Sequence, residues 1–470
     1  EDDGLHGWPL HQIRPVVAIL TGYERSARLE MRPIPVGAED LDDVTTLGRI
    51  MKKEGEDREL DYVHSEMFKE AAICGLSVAY VGVDYTEDPV YGQPFVLKVK
   101  PGEVCWDPDA VEYGLRDARD VFWFKVVPLD ELKAGYPEHA EALEEAASML
   151  SSIYPEGPIY VPSTDPADAY RSPSDDAIPL FDPVRKELMV LEGWYRVWDT
   201  VWLLVNKQTQ EVDQFEEGDP GLPMARAAAR ELPGTYKIVS RRRKRIEMTV
   251  MVPATFLELE RGNPFDNDDE DYPMVPCVAY REGNEIQGVV RNLKDPQREV
   301  NKRRSAMVQN VSEHGRIRWF AHHGALENPE FFTDPTIPVG HLRNPDKKPE
   351  QVVPPAMPQW VVDMDGRAKM EIREISTVNA DLLGYRDRDD SGIAIARRQQ
   401  QGQIATTELF DNYRRSRRLI GRRFARRCQQ TYSAERVVRL AEQAAAGQSA
   451  WLKVNERIAD PQPGRVSIQR

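Results

Sequence analysis

Residues 389–432 read DDSGIAIARRQQQGQIATTELFDNYRRSRRLIGRRFARRCQQTY, a pattern that predicts one very long helix. Ser391 can cap its start, because a serine hydroxyl accepts a hydrogen bond from one of the free backbone N–H groups there. Gly402 and Gly421 are the expected bends, since glycine weakens a helix locally. Apolar side chains recur on one face at Phe410, Tyr413, Ile420, Phe424 and Cys428. About forty residues at ~1.5 Å each would span roughly 60 Å, more than a small domain needs.

Ten arginines lie between Arg397 and Arg427, against Glu408 and Asp411 as the acids. One interpretation is a surface helix with a solvated arginine face, which is common for charge runs. The other is a helix that braces a large assembly or crosses between subunits. The pattern alone leaves both open.

The bulk properties narrow the class of protein. With 62 Lys and Arg against 78 Asp and Glu, the 470-residue chain has a formal charge of −16. An acidic chain disfavours tight DNA binding, whose affinity comes mostly from neutralising phosphates. Four dispersed cysteines without CxxC spacing favour reduced thiols in a cytosol, and apolar runs far shorter than 18 residues predict neither a membrane span nor a signal peptide. The absence of a starting Met predicts that the natural protein is longer at the N-terminus, and the lack of a clear end signal at Arg470 predicts an extension at the C-terminus.

The first 294 residues predict an α+β region. Helical spacing is found at 61–75, 129–135 and 138–150, and strand alternation at 76–85, 96–99 and 121–127. Residues 151–182, rich in Pro, Ser and Asp, predict a flexible insertion. Strand patterns at 187–198 and 201–205 suggest a hairpin turning at Asp199-Thr200, and 236–260 supplies further strands. Within these, the basic run 241–245 favours an exposed or edge strand, where charge prevents unwanted pairing.

The next part of the chain has the order helix, insert, helix. Asp295-Pro296 marks the sharp start of a helix that ends at Gly315. Residues 316–358 contain short strand-like pieces, IRWF and QVV, and 359–384 is helical again. This order predicts an antiparallel helix pair carrying a small β-rich domain at its tip. A short charged loop leads from the second helix to the long helix, after which 433–446 predicts another short helix.

Motifs for catalysis are weak. Gly-Lys occurs nowhere, so a P-loop phosphate cradle is absent, and neither G-x-S-x-G nor H-E-x-x-H occurs. The acidic cluster Asp266, Asp268, Asp269, Glu270 and Asp271 could bind Ca²⁺ or Mg²⁺, yet it lacks the glycine and distant Glu of an EF-hand, which favours a solvated acidic turn. The histidines His314, His322, His323 and His341 would need a fourth ligand and converging geometry to hold zinc, which favours exposed or partly packed side chains.

Three blocks in order resemble the phage portal protein family of the short-tailed-phage type. The first is RPVVAILTGYERSARLEMRPIPVGAED, residues 14–40, followed by SEMFKEAAICGLSVAYVGVDY. The second is YPMVPCVAYREGNEIQGVVRNLKDPQREVNKRRS, residues 272–305. The third comprises SGIAIARRQQQGQ, LFDNYRRSRRLIGR and QQTY within the long helix. Because the blocks are co-linear and span most of the chain, together they are far more specific than any one motif.

The resemblance implies an elongated, multi-lobed α+β subunit of a dodecameric ring. It implies a wing at 1–294, an antiparallel stem at 295–315 and 359–384, a β-rich clip at 316–358 between the stem helices, a tunnel loop at 385–391, a long wing helix at 392–432, and C-terminal wing or the start of a crown at 433–470. It implies a virion protein at one capsid vertex, assembled in the host cytoplasm, with neither catalytic activity nor a cofactor.

The resemblance also implies partners. Double-stranded DNA would pass through the channel, where the tunnel loop residues Tyr385, Arg386, Asp387, Arg388, Asp389 and Asp390 would lie beside it. From spacing alone, this loop is a charged turn between helices. The clip residues Arg343, Lys347 and Lys348 would dock the terminase large subunit and afterwards head-to-tail adaptor proteins. Major capsid and scaffolding proteins would contact the ring, and no membrane is expected.

Two functions from other classes remain as alternatives. A metal-dependent DNA-processing enzyme would use the acidic cluster at 266–271 and would cleave DNA when a divalent metal is present. A monomeric scaffold or adaptor would bind DNA through the arginine face at 397–427, with steeply salt-dependent affinity.

Overall fold

The structure is a computed structural model that describes residues 10–28, 30–35, 41–153, 159–160, 179–208, 212–265, 271–283, 285–314, 318–320, 327, 330, 341–343, 346, 350–352, 359–376, 406–432, 436–439, 451–454, 457–459 and 466–468. The fold is mixed α+β with antiparallel sheets and several helices, as the sequence predicted. The described parts contain these α-helices: α1 Ile13–Ser26, α2 Leu41–Asp57, α3 Leu60–Cys74, α4 Leu129–Gly135, α5 Ala140–Ile153, α6 Leu222–Glu231, α7 Lys294–His314, α8 Gln359–Ile375 and α9 Thr407–Thr431.

The strands form two principal antiparallel sheets. The smaller sheet has the order β11-β1-β2, and the larger has β10-β9-β7-β4-β3, with β6 and β8 also pairing with β7, and β5 with β6. Their bounds are β1 Leu76–Asp84, β2 Gln93–Val99, β3 Val104–Trp106, β4 Asp120–Pro128, β5 Ile159–Tyr160, β6 Pro179–Asp182, β7 Glu187–Asn206, β8 Val212–Phe215, β9 Tyr236–Val252, β10 Leu257–Gly262 and β11 Met274–Val278.

Short two-stranded ladders follow in the chain. They pair β12 Tyr280–Glu282 with β13 Glu285–Gln287, β14 Arg318–Phe320 with β15 Glu350–Val352, β16 Arg436–Arg439 with β17 Trp451–Val454, and β18 Arg457–Ala459 with β19 Val466–Ile468. The predicted helix at 433–446 is therefore wrong where the structure describes it. Val437 and Val438 are β-branched, a type that favours strands, and they pair opposite Lys453 and Leu452.

The chain divides into two compact units. The first comprises residues 1–26, 72–74 and 288–408, and the second comprises 27–71, 75–287 and 409–470.

The second unit contains both principal sheets. Gly75 ends α3 with φ of 93°, where its N–H donates to the carbonyl of Ala71 at 2.8 Å. Glycine accepts this left-handed conformation without the steric cost that a Cβ would add, so the chain reverses directly into β1. This confirms the predicted helix at 61–75 and strand at 76–85. The structure also contains the predicted strands at 96–99 and 121–127 and the predicted helices at 129–135 and 138–150. The ends of these elements differ from the predicted ends by no more than three residues.

The predicted hairpin at Asp199-Thr200 is wrong. Residues 187–206 form one continuous strand, β7, which pairs with β9 from Leu191 opposite Met251 to Asn206 opposite Tyr236. A two-residue hairpin needs positive φ at its turn positions, which Gly, Asn or Asp-Gly pairs supply and Asp-Thr does not. Asp199 instead pairs directly opposite Arg243 in the ladder. The basic run 241–245 lies in β9, with Arg241, Arg242 and Lys244 exposed, as expected for an exposed strand.

The core of the second unit lies against the large sheet. Trp194 is fully buried on β7, stacks on Phe265 with ring centroids 5.6 Å apart, and donates from Nε1 to Glu192 Oε1 at 2.7 Å. Glu192 also pairs with Lys125 from the neighbouring strand β4. The indole N–H of Trp194 and the carboxylate of Glu192 therefore both have hydrogen-bond partners, which is what burial of polar atoms requires.

Candidate functional site

The first unit is built around the helix pair α7 and α8. Leu293, immediately before α7, is buried, as are Val300 on α7 and Ala368 and Ile372 on α8, and the two helices are in contact. Arg303 donates from Nη1 to the carbonyl of Met364 at 2.5 Å. The predicted helix at 295–315 is confirmed within one residue at each end, because the Asp-Pro start signal is local.

The two helices run antiparallel. Arg303 in the middle of α7 meets Met364 in the first half of α8, so a parallel pair would place the end of α8 beside the end of α7. The end of α8 must instead lie near the start of α7, because α8 also contacts the 3-10 turn Arg291–Leu293 that immediately precedes α7. The described part of the second predicted helix, up to Ile375, thus agrees with the sequence; residues 377–384 lie outside the described residues.

Leu10 and Gln12 are hydrogen-bonded to α7. The backbone N–H of Leu10 donates to Asn301 Oδ1 at 3.0 Å, and Gln297 Nε2 donates back to the carbonyl of Leu10 at 2.6 Å. The N–H of Gln12 donates to Gln297 Oε1 at 2.9 Å. Sequence reasoning missed Gln297 and Asn301, although their i, i+4 spacing puts both amides on one helix face.

In the chain, a short β ladder lies between α7 and α8. Arg318 lies opposite Val352, and Phe320 opposite Glu350, so the predicted strand-like pieces IRWF and QVV do pair. Within the insert, Arg343 and His341 are exposed, and the carbonyl of His341 accepts from the N–H of Glu327 at 2.8 Å. The remaining candidates for docking, Lys347 and Lys348, and the histidines His322 and His323 lie outside the described residues; the side chain of His314 is likewise not described.

The loop that would contact DNA is also beyond the described residues. This applies to Tyr385, Arg386, Asp387, Arg388, Asp389 and Asp390, and to Ser391 and Gly402 of the predicted long helix. The described part of that helix is α9, Thr407–Thr431.

The arginines of α9 divide between two faces. Arg414, Arg415, Arg418 and Arg422 are exposed, as a solvated face predicts. The side chains of Arg417, Arg423 and Arg427 are buried, and the latter two have about 1% of their surface exposed. They follow the same spacing of three and four as Tyr413, Ile420 and Phe424, so the apolar stripe named from the sequence also contains arginines. This spacing of three and four residues is the signal in the sequence by which the buried arginines could have been found.

The buried face of α9 covers the free edge of strand β11. Asn412 Nδ2 donates to the carbonyl of Ala279 at 3.0 Å, Ser416 Oγ to that of Pro276 at 3.1 Å, and Arg423 Nη1 to that of Met274 at 2.5 Å. β11 pairs with β1 on its other side. An uncovered strand edge is a template for aggregation, and a helix whose side chains bind its carbonyls removes that hazard.

Further contacts fix the side chains of Arg427 and Arg423. The guanidinium of Arg427 lies 3.4 Å from the centroid of the Phe265 ring, a close cation–π contact. Arg423 Nη2 donates to the carbonyl of Gly114 at 3.0 Å. These arginines hold the fold of the unit, so they are not available as a DNA-binding face.

Asp271, which the sequence placed in a candidate metal cluster, is a partner of arginines. Its buried carboxylate accepts from Arg116 Nε at 3.0 Å and lies 3.7 Å from Arg426 Nη1. Burial alone would raise the pKa of Asp271, yet the hydrogen bond from Arg116 and the charges of Arg423 and Arg426 hold that pKa below its ordinary value. The other acids of the cluster, 266–270, lie outside the described residues. Within the parts that the structure describes, no three His, Cys, Asp or Glu side chains converge on a metal position.

Comparison with known proteins identifies the family of the chain. The family described as Phage P22-like portal protein matches residues 11–469, nearly the whole chain. No curated protein sequence matches the chain. Among the described helices, none combines the length and apolar character needed to cross a membrane. This match supports a portal protein over the metal-dependent DNA-processing enzyme and the monomeric DNA-binding scaffold. On this evidence the chain belongs to the P22-like portal protein family, the structural, non-enzymatic virion proteins that form the ring at one capsid vertex through which phage DNA is packaged and ejected.

Proposed function

We propose that α7 and α8 form the stem that lines the DNA channel and that residues 316–358 form the clip beyond it. The observation that carries this proposal is the antiparallel packing of α7 on α8, with the β14–β15 ladder between them in the chain. Two adjacent rods joined through a small β element present that element at one end of the pair. A ring of such pairs would have a wall of helices and a rim of inserts.

The remaining parts follow in the same order. Residues 1–294 and the long helix at 392–432 form the wing, whose surface contacts capsid and scaffolding proteins, and 385–391 form the tunnel loop beside DNA. The ring is a dodecamer. Because each chain carries a formal charge of −16, the ring is strongly acidic and offers a passing polyanion few strong attachments, which allows DNA to slide in both directions.

The insert is the docking surface for the proteins that interact with the portal in turn. Family membership implies interaction with DNA and terminase. The cations Arg343, Lys347 and Lys348 would meet the terminase large subunit during packaging. Head-to-tail adaptors would use the same surface afterwards, once terminase has left and the DNA must be retained.

The test removes the insert without removing its base. Residues 321–349 lie between β14 and β15, so an Asn-Gly turn in their place keeps the ladder, because such a pair favours the tight hairpin turn. We expect the variant to assemble into rings that no longer bind terminase or adaptor in a pull-down. Bound terminase at the wild-type level would place the docking surface elsewhere.

A milder variant separates charge from shape. Arg343→Ala/Lys347→Ala/Lys348→Ala removes three cations from the insert and should weaken terminase binding at least about tenfold, since charge pairs at interfaces contribute more than ~1.4 kcal/mol. The matched control is Arg298→Ala/Arg367→Ala/Arg373→Ala, which removes three exposed cations from α7 and α8. The control should bind terminase normally.

A further inference from the structure

One face of the β7–β9 ribbon combines aromatic and cationic side chains, of which Trp198, Arg242 and Lys244 are exposed. In the register, Trp198 lies opposite Lys244, Thr200 opposite Arg242, and Trp202 opposite Ser240. Residues directly opposite in an antiparallel pair, and residues two apart on one strand, project to the same side. These side chains therefore share one surface, called here the basic-aromatic face: Trp198, Thr200, Trp202, Arg242 and Lys244.

On the other side of the same ribbon, two arginines are paired with carboxylates. Arg243 Nη2 lies 3.2 Å from Glu216 Oε1, and Arg245 lies 3.7 Å from Asp199 and 2.8 Å from Glu247. Arg243 and Arg245 are thus neutralised within the chain, whereas Arg241, on the same side, is exposed.

The basic-aromatic face is different. Arg242 and Lys244 are exposed, and in the described part of the chain no carboxylate lies within ion-pair distance of either. The ammonium of Lys244 lies 5.2 Å from the ring centroid of Trp198, and the guanidinium of Arg226, from α6, lies 4.3 Å from that of Trp202. Trp198 remains 63% exposed. Tryptophan and arginine are enriched among the residues that contribute most to the binding energy of protein interfaces, whereas an indole with most of its surface exposed contributes little to the stability of an isolated subunit.

A complementary surface lies on α5. Its inner side is buried through Leu143 and Leu150. Its outer side presents Glu141, Glu144 and Glu145, all exposed, beside Met149, which is 55% exposed. A methionine among carboxylates matches an indole among cations, because a thioether packs well against an aromatic ring. These four residues are called here the acidic face.

The two faces belong to different regions of the same unit. The N–H of Leu129, the first residue of α4, donates to the carbonyl of Lys186 at 2.9 Å, and α5 packs on α4. Trp198 lies twelve residues further along the chain from Lys186, which is about 40 Å along an extended strand. Across the residues that the structure describes, no ion pair joins the basic-aromatic face to the acidic face. Within the described residues, Glu144 pairs with Lys133 at 2.9 Å, and neither Glu141 nor Glu145 has an ion-pair partner.

We propose that the basic-aromatic face of one subunit docks on the acidic face of α5 in the next subunit of the ring. A cyclic ring needs a heterologous contact, in which each subunit supplies two different surfaces that complement each other. A chain with a net charge of −16 otherwise repels its copies, so an exposed cationic surface is where attraction between copies is concentrated. This inference rests on ring formation and assigns a surface to it.

The test is a charge swap in the full chain, followed by sedimentation velocity and negative-stain imaging at 0.15 M and 1 M salt. The variants are Arg242→Glu/Lys244→Glu, Glu141→Lys/Glu145→Lys, and the combination of all four. We expect each pair alone to raise the protein concentration at which half of the chains are in rings at least about tenfold at the lower salt. The combination restores assembly, because the charges again complement each other across the contact. Trp198→Ala weakens assembly at both salt concentrations, since its contribution is apolar.

The matched control is Arg49→Glu/Lys69→Glu, which reverses two exposed cations on α2 and α3 and makes the same change in net charge. It should assemble as the wild type does. The proposal is overturned if the control is impaired as strongly as Arg242→Glu/Lys244→Glu, if the four-fold variant assembles no better than either pair, or if both pairs assemble normally and lose only affinity for DNA. Absence of rings for the wild-type chain would instead count against ring assembly itself.

Discussion

At the scale of single residues, Asp271 has the clearest structural role. Its carboxylate lies among Arg116, Arg423 and Arg426, and Arg423 is the buried arginine that binds the edge of β11. Asp271→Asn removes the negative charge and leaves Arg423 buried without it. We expect the free energy of unfolding to fall by about 2 kcal/mol, the range for hydrogen bonds to charged groups. Urea denaturation at pH 7 measures this loss.

The same carboxylate gives a dependence on pH. Because the pKa of Asp271 is lower in the folded state than in the unfolded state, its stabilising contribution is complete above the unfolded value of about 4. It is lost as the pH falls from there through the lower folded value. Wild type should therefore lose its advantage over Asp271→Asn below about pH 4. Asp109→Asn is the control: it removes a carboxylate 3.1 Å from Arg119, but this pair is exposed and should contribute less than ~1 kcal/mol. An equal effect of both substitutions would contradict the role of Asp271.

At the scale of elements, the sequence predicted those whose signals are local. Asp295-Pro296 defined α7 within one residue, and Gly75 marked the end of α3. The continuity of β7 through Asp199-Thr200 depends on a partner strand some forty residues away, which no local pattern reveals. The burial of Arg423 was missed for a related reason: charge normally indicates solvent, and the carbonyl groups that satisfy it belong to β11 and Gly114.

The loop at 385–390 is an element that the sequence alone supports, and it carries its own prediction. If Arg386 and Arg388 make transient phosphate contacts, Arg386→Gln/Arg388→Gln should slow terminase-driven packaging and reduce retained DNA by a few-fold, because each lost contact weakens attraction to the passing strand. Asp387→Asn/Asp389→Asn is the matched control. It removes the charges that limit affinity, so packaged DNA should be held at least as firmly. Unchanged packaging and retention in the arginine variant would exclude the loop from the channel contact.

At the scale of the whole molecule, the charge of the chain and its assembly are connected. A net negative charge limits the attachment of DNA to the ring, but the same charge opposes the association of subunits. The exposed cations on the β7–β9 ribbon and the exposed acids on α5 are one way to resolve this conflict, because they place attraction at the contact and leave the rest of the surface acidic.

This balance predicts how the ring responds to salt. Repulsion between subunits with a formal charge of −16 acts over the whole surface, whereas the proposed contact is short-ranged and partly apolar through Trp198 and Met149. Added salt shortens the Debye length from about 10 Å at 0.1 M to about 3 Å at 1 M, so it screens the long-range repulsion more than the close contact. We therefore expect wild-type rings to persist at 1 M salt and to dissociate as salt is lowered toward 0.01 M. Native mass spectrometry and sedimentation give the copy number, which should be that of a dodecamer of the 53.6 kDa chain. Rings that dissociate in 1 M salt yet persist at 0.01 M would show that long-range attraction holds the subunits together, contrary to this account.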